Sequence, residues 1–378
     1  MSWGLYLHVP FCLAKCAYCD FVSYPYTQVE AGRYLWALRR EILLHLAAGE
    51  LPQTTPDTVF IGGGTPTILP DRQLTDLVRE LAVRFRWPEW AEVTVEANPG
   101  TIDRRKLAGL RKAGVNRLSI GMQAAHPKNL STLGRRHTYE DVVEAVQAAR
   151  DTGFTNLNLD LIFGVPGQTV DEWRATIALA CSLEPEHIAA YSLEIPEGTR
   201  LFRLVERNEL EPCPEERELE MYQLLRQNLA RHGYRQYEIS NFARAGFECR
   251  HNIRYWQNGN YLGLGPAAHS HFNGRRWSNC CRIERYAAAL EAGELPLAED
   301  EQLDRRTQMG ETMFMGLRMR WGVYLPAFRE RFGTDARVAY RDEIRRLSER
   351  GLVELAGPYL RLTETGLPVA NIVFIEFL

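Results

Sequence analysis

The sequence has no run of about 18 uncharged apolar residues, so we predict no helix that crosses a membrane. Positive charge is not in excess either, because the 378 residues carry a formal net charge of −3, and we expect no nucleic-acid partner. No signal-peptide pattern precedes Cys12. We therefore expect a cytoplasmic, reducing compartment in which the eight cysteines form no disulfides.

The composition itself is that of an ordinary globular protein, with 45% apolar and 25% charged residues. The length suits one large domain and one smaller domain. We divide the chain at residues 1–200, 201–299 and 300–378.

Three cysteines lie close together near the start of the chain. Cys12, Cys16 and Cys19 follow a short apolar strand with the spacing C-x3-C-x2-C. A structural zinc site needs four ligands, and no Cys or His occurs where a fourth ligand would fall. Three thiolates on a four-iron cluster would leave one iron open to a small molecule. A zinc site and three incidental thiols remain the alternatives.

Short apolar segments alternate with helical patterns through the first half of the chain. This alternation predicts a parallel α/β architecture. Polar residues stand in or at the ends of four of these segments, namely Glu96, Gln123, Asp160 and Ser192. Because the carboxyl end of parallel strands carries the ligand site, we expect these four residues and the cysteine loop to meet there.

The segment His251-Asn252-Ile253-Arg254-Tyr255-Trp256 combines an imidazole with aromatic side chains. Imidazole is a common axial ligand of haem iron, and aromatic rings offer flat contact area. A histidine in this setting can equally be a structural hydrogen-bonding residue. Cys249 is an alternative soft ligand, and His269 is a weaker candidate.

Three helical patterns and a hairpin follow residue 300, which predicts a small winged-helix-like α+β domain. Arginines such as Arg341 and Arg345 suggest DNA binding, but Asp342, Glu343 and Glu349 lie among them. The mixed charge favours a lid or a protein-contact domain instead.

Taken together, these motifs resemble the HemN/HemW group of the radical S-adenosylmethionine (SAM) superfamily. The resemblance covers nearly the whole chain and is carried by the cysteine triplet, by Gly62-Gly63-Gly64-Thr65-Pro66-Thr67, by residues 158–169, by residues 237–242 and by the His-Asn-x-x-Tyr-Trp segment. It implies a partial six-stranded parallel (β/α) barrel. Phe21 stands where the oxidase branch has a further cysteine, Cys12 leaves no room for that branch's N-terminal extension, and the His251 segment is typical of the HemW branch.

The resemblance also implies site residues. Cys12, Cys16 and Cys19 would hold a 4Fe–4S cluster, and His251 would contact haem. The residues implied for SAM binding are Tyr6, Tyr18, Gly63, Gly64, Thr65, Glu96, Gln123, Arg135, Asp160 and Ser192. No catalytic residue is assigned.

The function implied is that of a haem chaperone that binds SAM and haem and delivers haem to apo-haemoproteins, including membrane-bound respiratory enzymes. Homodimer formation and a location at the inner face of the membrane are further expectations. The alternative is an anaerobic coproporphyrinogen III oxidase, which would make protoporphyrinogen IX. Whether SAM is cleaved is left open.

Overall fold

The structure, a computed structural model, describes residues 2–49 and 54–378. Its strands, in chain order, are β1 (Gly4–Val9), β2 (Phe11–Cys12), β3 (Tyr24–Pro25), β4 (Thr58–Gly63), β5 (Glu92–Ala97), β6 (Arg117–Gln123), β7 (Leu157–Phe163), β8 (His187–Ser192), β9 (Arg235–Gln236), β10 (Asn241–Ala243), β11 (Tyr261–Leu264), β12 (His269–Phe272), β13 (Arg275–Asn279), β14 (Leu297–Gln302), β15 (Val323–Tyr324), β16 (Val353–Ala356) and β17 (Tyr359–Leu362).

The α-helices alternate with these strands through the first half of the chain and cluster towards its end. They are α1 (Gln28–Ala48), α2 (Asp71–Phe85), α3 (Arg104–Lys112), α4 (Pro127–Leu133), α5 (Tyr139–Asp151), α6 (Val170–Ser182), α7 (Arg200–Glu206), α8 (Glu215–Arg231), α9 (Arg250–Trp256), α10 (Ile283–Glu291), α11 (Arg305–Leu317), α12 (Leu325–Phe332), α13 (Ala336–Ala339), α14 (Arg341–Glu349) and α15 (Ala370–Ile375).

Six parallel strands form the centre of the large sheet, in the order β1-β4-β5-β6-β7-β8. The predicted parallel α/β architecture is therefore confirmed. Strands β1 and β4 bury apolar side chains such as Leu5, Leu7 and Val59, as expected where helices cover a parallel sheet. Helices α5 and α6 both begin with capping boxes, at Thr138 and Thr169, which satisfy their first backbone N–H groups.

The sheet extends beyond these six strands at both edges. Strand β11 adds to β1 as a seventh parallel strand, and β12, β13 and β14 continue it antiparallel. At the other edge, β10 and β9 pair antiparallel next to β8. The sequence pattern did not reveal these short strands, because they lack long apolar runs.

Helix α9 closes the amino end of the barrel. Its His251 and Arg254 lie against Gly4 and Thr58, which are the first residues of β1 and β4. Glu92, the first residue of β5, accepts hydrogen bonds from the helix's first N–H groups. The cysteine loop follows the opposite end of β1, roughly 17 Å away if each residue of the strand advances about 3.3 Å.

The C-terminal segment has its own hydrophobic core, which includes Met313, Phe328, Leu347, Leu360 and Phe374. It contains helices α11 to α15 and a three-stranded sheet in the order β15-β17-β16. The predicted hairpin is confirmed as β16 and β17, whereas the third of the three predicted helices is divided into α13 and α14. No helix within residues 2–49 and 54–378 is long and apolar enough to span a membrane.

Candidate cofactor site

A cavity of about 500 Å³ lies at the carboxyl end of the parallel strands. Among the residues that line it are twelve of the fourteen predicted site residues: Cys12, Cys16, Tyr18, Cys19, Gly63, Gly64, Thr65, Glu96, Gln123, Arg135, Asp160 and Ser192. The other two, Tyr6 and His251, line a smaller neighbouring cavity of about 290 Å³. We call these the outer cavity and the inner chamber.

The cysteine loop is tied to the barrel by backbone hydrogen bonds. Strands β2 and β3 pair in parallel and close the loop at its base. In the middle of the loop, Ala17 donates its N–H to the Leu133 carbonyl at 3.0 Å and accepts from the N–H of Leu201 at 2.8 Å. The loop that carries the three thiols is thus held in place by residues from two different helical segments.

A chain of polar contacts joins two of the cysteine sulfurs. The Thr65 hydroxyl lies 3.6 Å from the Cys12 sulfur and accepts from the Asn98 amide at 2.8 Å. The Asn98 oxygen in turn accepts from Arg135, whose guanidinium also donates to the Cys16 sulfur at 3.4 Å. The Thr65 hydroxyl and the Arg135 guanidinium thus contact two of the three sulfurs, although burial raises the pKa of the Cys12 thiol above its ordinary value.

Close contacts with the cysteine loop and with β1 explain why Gly63 and Gly64 are glycines. A side chain at Gly64 would place its Cβ 2.5 Å from the Phe11 carbonyl oxygen. At Gly63, where φ is +107°, a Cβ would meet the ring of His8. Both positions require glycine because the cysteine loop and β1 approach the backbone closely. Gly63 and Gly64 nevertheless line the outer cavity, so their predicted role at SAM stays a prediction.

Gln123 reaches the cavity through a distortion of its strand. The register between β6 and β7 shifts between Gly121 and Gln123, and Gln123 has a positive φ of 63°. Strand bulges of this kind redirect a side chain, and strained non-glycine residues cluster at functional sites.

Two buried carboxyl groups lie between the outer cavity and the inner chamber. Burial, assisted by the charge of Asp160, raises the pKa of Glu96 to about 8, although Gly63 donates its N–H to this carboxyl at 3.0 Å. Burial also raises the pKa of Asp160, and the Asn158 amide and Ser119 hydroxyl oppose that rise by donating to it at 2.8 and 3.0 Å. Glu96 is therefore mostly protonated at neutral pH.

The inner chamber contains His251 at its amino end. One ring nitrogen lies 2.9 Å from the Thr58 hydroxyl and the other lies 2.9 Å from the Tyr255 hydroxyl. The ring also stacks on Phe60 with centroids 5.4 Å apart. Burial, with the charges of Arg254 and Arg117, lowers the pKa of His251 to about 3, so the imidazole is neutral. The predicted haem contact of His251 stays a prediction, and an iron would have to displace one of these two partners.

The sequence reasoning overlooked Asn98, Arg117, Ser119 and Tyr191, all of which line one or both cavities. Arg117 offered a signal, since it is a charged residue at the head of the otherwise buried segment Leu118–Gly121. Asn98 offered a weaker one, because it follows the strand that ends in Glu96 and Ala97.

The donors present fit the cofactors that the resemblance implies. Three cysteine side chains border one cavity, and each remains a free thiol. Within the described part of the chain, no three His, Cys, Asp or Glu side chains converge closely enough for one metal ion. A cubane cluster spreads its thiolate ligands over separate corners, which suits three cysteines that share a cavity without converging on a point. The polar wall from Glu96 to Asp160 could receive an amino acid or ribose group.

Comparisons with known proteins show which family the chain belongs to. The family model described as the radical SAM superfamily matches residues 6–180, and the model described as the HemN C-terminal domain matches residues 303–369. Among solved structures, the coproporphyrinogen III oxidase HemN from Escherichia coli, described as a radical SAM enzyme, aligns over 100% of this chain and 90% of its own, with a TM-score of 0.87 and 24% identity. At that identity the likeness concerns the fold.

Curated relatives are more similar in sequence. The heme chaperone HemW of Bacillus subtilis is 38% identical over 99% of this chain and 98% of its own length. The heme chaperone HemW of Mycobacterium tuberculosis is 38% identical over 98% of this chain and 93% of its own. A mitochondrial radical SAM domain-containing protein 1 of Bos taurus is 33% identical over 99% of this chain and 87% of its own. The chain therefore belongs to the HemW family of the radical SAM superfamily.

Proposed function

We propose that this protein is a haem chaperone that binds a 4Fe–4S cluster, SAM and haem and passes the haem to apo-haemoproteins such as respiratory enzymes. The observation that carries the proposal is the similarity to proteins named heme chaperone HemW over nearly the entire length of both chains. Phe21 supports the same conclusion. It stands in place of the oxidase's additional cysteine, and its side chain is 63% exposed at the border of the outer cavity.

The residues of the outer cavity are proposed to hold the cofactors. Cys12, Cys16 and Cys19 would ligate the cluster, and Arg135 would donate a hydrogen bond to one of the ligating sulfurs. When bound, the cluster and SAM supply one-electron cleavage of a sulfonium bond. SAM is proposed to contact Tyr6, Tyr18, Gly63, Gly64, Thr65, Glu96, Gln123, Arg135, Asp160 and Ser192.

Haem is proposed to contact His251. The Nε2 atom of this residue is bound to the Tyr255 hydroxyl at 2.9 Å, while Nδ1 is close to Thr58. Exchange of Tyr255 for iron would leave the Thr58 contact in place, and that contact would orient the ring as outer hydrogen bonds do for other metal-binding histidines. The low pKa of His251 keeps the imidazole neutral at physiological pH, so that one of its two ring nitrogens carries no proton and is available to a metal.

The domain limits 1–200, 201–299 and 300–378 are part of the proposal, with the first segment as the cofactor barrel and the third as a protein-contact domain. Recipients would be apo-haemoproteins, including membrane-bound respiratory enzymes. We further propose that the protein forms a homodimer and is located in the cytoplasm, at or near the inner face of the membrane.

The test is anaerobic reconstitution with iron and sulfide, followed by haem titration, SAM cleavage and coproporphyrinogen III assays on one sample. We expect iron–sulfur absorbance, a saturable haem spectrum and no protoporphyrinogen IX. Cys12→Ser should lose the cluster, and Cys281→Ser, which changes an exposed cysteine, should keep it. Formation of protoporphyrinogen IX would favour the oxidase instead.

Transfer is tested separately, by mixing haem-loaded protein with an apo-form of a b-type respiratory cytochrome. We expect the cytochrome spectrum to recover faster than with the same concentration of free haem. Equal rates would contradict the chaperone function.

The haem ligand is tested with Tyr255→Phe. This variant leaves Nε2 of His251 without its hydroxyl partner, so haem should bind more tightly if that nitrogen ligates iron. His251→Gln should weaken binding, and His232→Gln, at an exposed position, is the matched control. Unchanged haem affinity and spectrum in both chamber variants would exclude His251 as the ligand.

A further inference from the structure

Arg117 is a buried arginine without a partner. It is the first residue of β6, and only 1% of its surface is exposed. Its Nε atom has no hydrogen-bond acceptor, and the guanidinium makes no hydrogen bond or ion pair with any residue in the ranges 2–49 and 54–378. Buried arginines are normally paired, because an uncompensated charge is costly to remove from water.

The carboxylates nearest to Arg117 are already engaged by other donors. Glu92 accepts from the N–H groups of Arg250 and His251, both at 3.0 Å. Asp160 accepts from Ser119 and from an amide donor beside it. These carboxylates influence Arg117 through space without bonding to it. Burial by itself would lower the pKa of Arg117. Cys249, Glu92 and other nearby acidic groups have the opposite and larger effect, so the pKa lies above its ordinary value and the side chain is cationic.

Arg117 faces the inner chamber, which is large enough to admit part of a ligand. The chamber has a volume of about 290 Å³, and its walls include the aromatic rings of Tyr6, Phe60, Tyr191 and Tyr255. It borders the outer cavity, because Phe21, Glu96, Ser119, Asp160 and Tyr191 line both. The two cavities therefore adjoin at these five residues, and Arg117 lies on the inner side.

The charged side chains around the inner chamber indicate which class of ligand group would bind to Arg117. A guanidinium offers two parallel N–H donors that match the two oxygens of a carboxylate. Asp160 lines the same chamber. Its negative charge would repel a doubly charged phosphate more strongly than a singly charged carboxylate, which argues against a phosphate dianion. The largely protonated Glu96 adds a group that can donate to an oxygen instead of repelling it.

We propose that Arg117 is the binding residue for a carboxylate group, presented either by a small organic acid or by the carboxylate arm of a larger aromatic ring that occupies the chamber. The site requires no cofactor for its existence. If the ring is haem, the inference rests on the proposed function and places one haem carboxylate in the chamber that His251 also lines.

The test uses reconstituted protein and three arginine variants. Arg117→Met removes the buried charge, Arg117→Lys keeps the charge without the two parallel donors, and Arg40→Met changes an exposed arginine of α1, which lines neither cavity, as the matched control. Arg117→Met should fold, because an unbranched apolar side chain fills much of the same buried space. Its thermal midpoint is measured first, and ligand binding is compared only at temperatures where both proteins are folded.

Two sets of ligands distinguish the sources of the carboxylate. Propionate and benzoate are added in thermal-shift titrations, with benzamide as the uncharged probe. Haem and haem dimethyl ester are compared by absorbance titration. Loss of a bidentate charged pair should weaken binding about 10- to 100-fold. We expect that loss in Arg117→Met, a partial loss in Arg117→Lys and none in Arg40→Met.

Each outcome bears on the inference. If wild type prefers haem over its ester and Arg117→Met does not, the carboxylate belongs to haem. If only propionate or benzoate separates wild type from Arg117→Met, the carboxylate belongs to a small acid. If neither set separates them, the inference is wrong. Failure of wild-type protein to bind haem at all would count against the chaperone function, while the small acids would still test Arg117.

Discussion

The hydrogen bonds that Glu92 accepts make it the main link between the sheet and helix α9, and Glu92→Gln tests that role. The carboxylate accepts the first two N–H groups of the helix, from Arg250 and His251, each at 3.0 Å. It also lies 3.6 Å from the Cys249 sulfur and is nearly inaccessible to solvent. Since α9 has no side-chain cap of its own at Cys249, Glu92 supplies what a capping residue would.

The size of the effect follows from these contacts. A hydrogen bond to a charged group contributes about 1.5–3 kcal/mol. In the glutamine variant the amide oxygen can keep one N–H, whereas the amide nitrogen faces the other as a second donor. We therefore expect a loss of about 2–4 kcal/mol in the free energy of unfolding. Glu89→Gln, at an exposed position in the loop before β5, should change it by less than about 0.5 kcal/mol.

Glu92 also compensates the buried charge of Arg117 through space. The cost of Glu92→Gln should thus be smaller in an Arg117→Met background, by about 1 kcal/mol. Urea unfolding of all four proteins, followed by circular dichroism, measures both quantities through the midpoint and slope. The reasoning fails if Glu92→Gln unfolds at the wild-type midpoint, or if the two substitutions are strictly additive.

Three further predictions concern the barrel and the cluster loop. Asn98→Ala should lower the iron retained per chain after reconstitution and gel filtration, because it breaks the polar chain to Arg135; wild-type iron content would contradict this. The folded-state pKa of buried Glu41 is about 7 against an ordinary 4.5, so stability should fall by about 3 kcal/mol as pH rises from 4.5 to 7 and then level off. Glu41→Gln should flatten that part of the profile in thermal melts at pH 5 and pH 8, and equal slopes in both proteins would refute it. Gly64→Ala should destabilise the protein and reduce cluster content because its Cβ would lie 2.5 Å from a carbonyl oxygen, whereas Gly32→Ala, with open space around it, should not lower the melting temperature.

Much of the architecture could be predicted because it depends on local patterns. The parallel α/β sheet was predicted, since the alternation of short apolar segments with helical patterns leaves few other arrangements. The short strands β9 to β13 were not, because their pairing depends on partners that are distant in sequence.

The site residues also divide into those that the sequence pattern predicts and those that only the folded structure brings together. The cysteines and the polar residues at strand ends could be placed together from the rule that parallel strands share one carboxyl end. The position of His251 could not, because no local pattern indicates that α9 closes the opposite end of the barrel. The glycine run was correctly noticed, but its cause lies in the close approach of Phe11 and His8, which only the packed structure reveals.

A single directed set of hydrogen bonds connects the two ends of the barrel. The Asn158 amide nitrogen donates to Asp160 at 2.8 Å, so its oxygen must accept from Nδ1 of His187 at 2.6 Å. Burial lowers the pKa of His187 well below its ordinary value, so the ring is neutral and its Nε2 accepts from the Tyr237 hydroxyl at 2.9 Å. The Tyr237 oxygen then accepts the N–H of Cys249 at the start of α9, at 3.3 Å. Each donor in this series determines the direction of the next hydrogen bond. The series therefore connects the Asp160 carboxylate beside the cofactor cavity to the first turn of α9, the helix that carries His251, and a substitution at one end should alter the hydrogen bonds at the other.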